Sequence, residues 1–220
     1  MNVTLALFMG AFGMASGWFI PLIAFKIAEY KLKKSSRALI PDTRFTSRLL
    51  KLLCLLVNGA LWAAVGLFAE NLLHAALLAV ILFDAEVITI IDIRIRLIPN
   101  EAVLTMLLAG FIMQISLGGA TSLIAAIITM IVVMAVFIAL GSMLGFTAIG
   151  AGDVKLAGAM GLILGYPHIM YGMIGMSAVM LVWCSTGLIT RKLTVKSMFA
   201  FAPFMMAGTA FAIITSVPGY

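Results

Sequence analysis

Residues 72–100 read LLHAALLAVILFDAEVITIIDIRIRLIPN. Leu72–Ile91 is an apolar run of the length that an α-helix needs to cross a bilayer, about 20 residues. It stops at Asp92. Arg94, Arg96 and the helix-breaking pair Pro99-Asn100 follow. Two acids, Asp84 and Glu86, interrupt the run itself. A carboxylate near the centre of a span costs roughly 2.5–3.5 kcal/mol on insertion scales, so these residues need a reason to be there.

The rest of the chain obeys the same solvent. Of its 220 residues 64% are hydrophobic and only 10% charged, and the mean hydropathy is +1.23. Soluble domains carry about 25% charged residues. No soluble fold of this size hides so much apolar surface. The expectation is an all-α polytopic bundle forming a single transmembrane domain over residues 1–220. About eight transmembrane helices are expected: Leu5–Ile27, Leu49–Ala69, Leu72–Ile91, Ala102–Leu117, Ser122–Leu144, Val154–Gly165, Ile169–Ile189 and Ser197–Thr215. The first is read as a retained helix with its N-terminus outside. The sixth is short, so it is expected to be tilted, partly sunk or re-entrant. Small residues at helical spacing, Gly13 and Gly17, Gly141 and Gly145, Gly161 and Gly165, suggest close helix contacts.

Charge tests the topology. With both termini outside, the segments 26–51, 92–101, 145–155 and 190–197 face the cytoplasm. They contain all 14 Lys and Arg residues, as the positive-inside rule requires. That rule accounts for the net charge of +6 without nucleic acid as a partner. The one long loop, about 28–48, is basic and carries Pro41. It suits anionic lipid headgroups.

Of the eight acids, Glu29 and Asp42 lie among the loop cations, Glu70 lies in an outer connection, and Glu101 begins a helix where an acid favours the dipole. Asp92 and Asp153 are different. Asp92 ends an inward-running span, and Asp153 follows Gly150-Ala151-Gly152 at the start of an outward-running one. The topology places both at one depth on one side. Two carboxylates sharing a site is what a water-activating acid–base pair needs. The plainer reading is two interfacial acids paired with Arg94 or Arg96 and with Lys155. Gly150 and Gly152 favour the pair, since they permit unusual backbone angles and the close approach of a substrate chain. Asp84 is one helix face away from Asp92, about 80° round and roughly 12 Å along the axis, and Glu86 points elsewhere.

Other chemistries fit less well. Gly150-Ala-Gly-Asp-Val-Lys155 lacks the third glycine of a dinucleotide fingerprint and the Gly-Lys-Ser/Thr of a P-loop. Cys54 and Cys184 are far apart and have no CxxC partner, so no disulfide framework or metal site is expected. His74 and His168 fall at the outer ends of helices, away from the acid pair.

Ile91-Asp92, Ile98-Pro99-Asn100 and Gly150-Ala151-Gly152-Asp153-Val154-Lys155-Leu156 together resemble the type IV prepilin peptidase family, the GxGD intramembrane aspartic proteases of bacteria. The strong part covers about residues 80–165. Phe201-Ala202-Pro203-Phe204 resembles the family's final helix and Gly17-Trp18-Phe19 its first. The resemblance implies an aspartic endopeptidase of the bacterial cytoplasmic membrane. Its substrates are pilin-like precursors of type IV pilus or secretion systems, cut after a glycine at the cytoplasmic face to remove a basic leader. It implies Asp92 and Asp153 as the catalytic pair, with Gly150, Gly152, Lys155, Pro99 and Asn100 in the supporting motifs. Many relatives carry two CxxC pairs in the loop after the first helix and methylate the new N-terminus. This loop is short and has no cysteine pair, so neither zinc nor methyl transfer is expected, and no cofactor. Asp153, at a helix N-terminus, is expected as the anion, and Asp92, at a helix C-terminus, as the acid. The rival from another class is a proton-coupled transporter or channel subunit using Asp84, Asp92 and Asp153. A presenilin-like protease lacks its marks here, a Tyr before Asp92 and a C-terminal Pro-Ala-Leu.

Overall fold

The computed structural model describes residues 2–34, 42–144, 150–192 and 199–216. The remainder of the basic loop, with Arg37, lies outside the described residues, as do Gly145 and Lys196. Among the described residues eight α-helices follow one another: α1 Val3–Gly17, α2 Ile20–Lys34, α3 Arg48–Phe68, α4 Leu72–Ile95, α5 Asn100–Leu144, α6 Ala151–Leu164, α7 His168–Ile189 and α8 Ala202–Ser216. A 3-10 turn, Asp42–Arg44, precedes α3. No strand occurs among the described residues.

The eight apolar runs reappear as helices in order, with one change. The first run is broken: α1 and α2 meet at 44°. Pro21 sits in the first turn of α2, where it has no N–H to continue the ladder from α1. The fourth and fifth runs, which share the label α5, are two helices separated at Gly119 (φ 67°, ψ −161°), a backbone geometry that suits glycine. By length and composition α3, α5 and α7 can each cross a membrane, and the bent α1–α2 pair makes a fourth. All are helices of a membrane protein in their surface chemistry: Leu7, Phe8, Ile131, Leu181 and Val182 point outward.

The other long runs form the interior. Buried residues of α4, from Ala75 to Asp92, occupy every side of that helix. In α6, Leu156–Leu164 is buried without a break. At 14 residues α6 is about 21 Å long. It is shorter than a hydrocarbon core of about 30 Å, and other helices wrap it. The unbroken apolar sequence thus reflects enclosure by protein.

Close approach replaces a hydrophobic drive inside a bilayer. A Cβ on Gly17 of α1 would stand 2.6 Å from the Cys54 carbonyl of α3, and one on Gly66 would stand 2.7 Å from Ala6 Cα. Buried Asn58 fastens the same pair, donating to the Gly13 carbonyl (2.8 Å) and to Ser16 Oγ (3.0 Å). Gly161 brings α6 equally close to Met130 of α5. Gln114 of α5 donates to the Leu162 and Ile163 carbonyls, satisfying the end of α6 that its own helix leaves unpaired.

Helix ends gather on one face. The ends of α2 and α5 meet through Lys31–Glu101 at 2.6 Å. The starts of α5 and α6 meet through Asn100 and Lys155. The end of α4 meets the start of α8. At the opposite face the Asn2 N–H donates to the Leu67 carbonyl, joining the start of α1 to the end of α3.

Candidate active site

Asp92 lies in the last turn of α4, just beyond the apolar run. The turn closes through Arg96, which takes a left-handed conformation (φ 52°) and donates its N–H to the Asp92 carbonyl at 2.9 Å. That conformation is uncommon for a side-chain-bearing residue. It turns the chain sharply into Leu97-Ile98-Pro99, and buried Pro99 leads straight into α5. The Asp92 side chain is buried. Its Oδ2 accepts a hydrogen bond of 3.0 Å from the Ala202 N–H. Ala202 is the first residue of α8, so this N–H is one of the donors that a helix start leaves free. The Asp92 carboxyl therefore faces two helix ends. The C-terminus of α4 disfavours a negative charge there, and the N-terminus of α8 favours it. The expectation of Asp92 as the acid considered α4 alone.

Asp153 stands in the first turn of α6 and is half-buried. Its Oδ2 accepts from the Gly150 N–H at 3.1 Å, the backward half of a capping box. The flanking glycines act here through space. Gly150 has φ −74°, Gly152 is helical, and the glycines with positive φ among the described residues are Gly119 and Gly165. The expected unusual dihedrals are absent. Instead, a Cβ on Gly152 would press on Ile98 Cβ at 3.2 Å. Gly152 thus lets the start of α6 lie against the α4–α5 connection. Lys155 fixes the same approach, donating to Asn100 Oδ1 at 3.3 Å.

The residues picked from the sequence, Asp92, Pro99, Asn100, Gly150, Gly152, Asp153 and Lys155, thus meet at one end of the bundle. Burial pushes the Asp92 carboxyl above its ordinary pKa. The Ala202 N–H pulls it back, and the nearby Asp153 charge raises it further. Burial also pushes Asp153 up, against the Gly150 N–H. The Phe201 N–H and the Arg96 charge also lower Asp92. The ion pairs among the described residues are Lys31–Glu101 and Lys33–Glu29, so neither aspartate forms a close ion pair with Arg94, Arg96 or Lys155.

Other acids go elsewhere. Asp84 accepts a short hydrogen bond from Thr105 Oγ1 of α5. Glu86 faces a separate groove beside Cys54. Glu101 adds the Lys31 pair to its helix-start position. Among the described residues no group of three or more His, Cys, Asp or Glu side chains is arranged to hold a metal ion. Ala202 is the residue that sequence reasoning passed over. A proline in the first turn of α8, Pro203, was the available sign of a helix start there.

Residues 79–185 match the family model described as the type IV leader peptidase family. Over this segment the chain is similar to the type IV leader peptidase family. The family is one of aspartic-type peptidases. The leader-peptidase segment takes in most of α4 and of α7 and all of α5 and α6, and with them both aspartates. It stops before α8, which supplies the Ala202 N–H. No curated protein and no solved structure gives a significant match.

Proposed function

We propose that this protein is a membrane aspartic endopeptidase that cuts the basic leader from pilin-like precursors, after a glycine at the cytoplasmic face of the bacterial plasma membrane. The observation that carries this reading is a pair of carboxyls, Asp92 and Asp153. They come from separate helices to one end of the bundle, where the Asp153 charge raises Asp92, and neither forms an ion pair within 4 Å among the described residues. The match to the leader peptidase family supports it. The sidedness follows from charge: about eight membrane segments with both termini outside put every Lys and Arg on the cytoplasmic side. Anionic lipids would then lie against that basic face.

The chemistry needs one proton on the pair. The ionised carboxylate takes a proton from water, and the water oxygen adds to the scissile carbonyl carbon. The protonated carboxyl donates to the departing nitrogen as the C–N bond breaks. The two groups titrate as one unit, so the reactive form is the singly protonated pair. The Ala202 N–H and the Gly150 N–H each accommodate an anion on their own aspartate. A proton relay through Asp84 has less support, because Thr105 holds Asp84 and Glu86 faces a different groove.

The test is cleavage by the purified, reconstituted enzyme of candidate precursors, with the product N-terminus read by mass spectrometry. The expected product begins one residue after the leader glycine. Normal cleavage by Asp92→Asn or Asp153→Asn would reject the pair.

A further inference from the structure

A groove of about 420 Å³ opens on the side of the bundle between α3, α4 and α8. One face of each helix lines it, running away from the aspartates. Leu53, Ile90 and Pro203 stand at the near end, and Leu82 and Ala210 at the far end. From Ile90 to Leu82 is about 12 Å, a little over two turns. The near end is continuous with the candidate active site. Pro203 follows Ala202, whose N–H holds Asp92, and Ile90 lies two residues before Asp92. The wall is apolar except for Thr89 and Glu86. Glu86 Oε1 is buried and has no hydrogen-bond partner. An unpaired carboxyl oxygen in an apolar wall is costly, and a lipid tail brings no group to satisfy it.

We propose that this groove seats the membrane helix of the precursor and that Glu86 pairs with a hydrogen-bonding side chain on it. The proposal rests on the peptidase reading and adds a specificity residue to it. Glu86 is six residues from Asp92, about 9 Å along α4. A helix lying in the groove with its cut bond at Asp92 would present to Glu86 a residue about six positions on the membrane side of the cut. Its substrate class is therefore a single apolar helix with one polar side chain near that position.

The test uses the full chain in liposomes with two substrates: a precursor with its complete membrane helix, and a soluble peptide that ends just past the cut. Ala207→Trp, on the α8 wall, fills the groove, and Ala207→Leu is the milder variant. Filling is expected to raise KM for the membrane precursor at least about tenfold more than for the soluble peptide, the effect of roughly 1.4 kcal/mol of lost contact. Equal effects on both substrates, or none on the precursor, overturn the proposal. Glu86→Leu should weaken only precursors that carry the polar residue. Equal loss with a precursor that has leucine there overturns the pairing. Binding is read apart from chemistry by a benzoylphenylalanine photocrosslinker in place of Val57 in the Asp92→Asn enzyme. The expected adduct is the precursor, and an adduct of lipid or of a second copy of this chain alone overturns the groove. Cleavage by Asp92→Asn would instead reject the catalytic pair and leave the crosslinking result standing.

Discussion

Two interfaces in this molecule rely on glycine, and they do opposite work. Between α1 and α3, Gly17 and Gly66 let backbones touch within the membrane, and Asn58 spends its amide on bonds inside the interface. At the start of α6, Gly152 lets a helix end press on Ile98, and the polar groups there are left facing the Asp92–Asp153 space. The first interface turns its polar bonds inward, although Asn58 Oδ1 is buried there without a partner. The second is close-packed on one side and chemically open on the other. Close packing is therefore not the mark of the site. The mark is close packing beside carboxylates that form no close ion pair.

The comparison breaks most sharply at the aspartates. Asp92→Asn and Asp153→Asn each keep the shape and remove the acid–base function. Cleavage should fall by about 10²–10⁴, with little change in the thermal midpoint in detergent. A large fall in that midpoint with activity per folded molecule intact would place these residues with Asn58, as packing groups.

Gly152→Val comes next. Its side chain would displace Ile98 and move the Asp153 turn away from α4. Overpacking of this kind costs about 1–3 kcal/mol, and the strain falls on the geometry of the pair, so activity should drop by roughly 10–100-fold in protein that still inserts. Gly17→Val is the matched control. A Cβ there meets the Cys54 carbonyl, a backbone atom that cannot swing away. The thermal midpoint should fall by the equivalent of about 1–3 kcal/mol, while the activity of the folded fraction persists. If Gly152→Val and Gly17→Val behave alike, the two interfaces are not distinct.

A smaller effect should appear in the pH profile. Both aspartates have pKa values raised by burial. The folded protein therefore holds protons that the unfolded chain releases, and stability declines as pH rises from the ordinary carboxylate range through the raised values. Activity ends when the second proton leaves, so the basic limb of kcat/KM should lie above the ordinary carboxylate range. Ala202→Pro sharpens this. Proline is tolerated in the first turn of a helix and removes the Ala202 N–H, the larger of the two backbone donors, with Phe201, that lower Asp92. The basic limb should then move to higher pH. No movement, with the fold intact, would mean that the Ala202 bond does not govern the pair.

How far the sequence reached follows from what hydropathy can see. It located eight apolar runs because burial in lipid and burial in protein both demand apolar side chains. It did not distinguish the two, so the apolar runs of α4 and α6 did not show that their surroundings are mostly other helices. The break near Pro21 depends on backbone path, to which an apolar average is blind, whereas the break at Gly119 falls between the two runs expected there. Asp92 and Asp153 stood out because an acid at the membrane edge is costly, and the charge topology placed them on one side. The Ala202 N–H was invisible, being a backbone group 110 residues along the chain from its partner. Gly150 and Gly152 were legible as a requirement for glycine. Their reason, space beside Asp153 and Ile98, needed the packed structure.

The smallest effect belongs to Lys155. It could serve as an electrostatic partner of Asp153, or as a strut between helices. Its Nζ reaches Asn100 Oδ1, and it is exposed, so solvent screens its charge. A strut whose partner is a neutral amide contributes about 0.5–1.5 kcal/mol, at most 3 with a charged donor. Lys155→Met should thus lower activity only by a factor of about 3–10, and Asn100→Leu should do the same. Because both remove one bond, the double variant should lose little more than either single one. An additive double loss, or a shift of the pH profile in Lys155→Met alone, would show that the lysine acts on the carboxylates directly. The open side of the α6 start would then include a cation, which the α1–α3 interface does not.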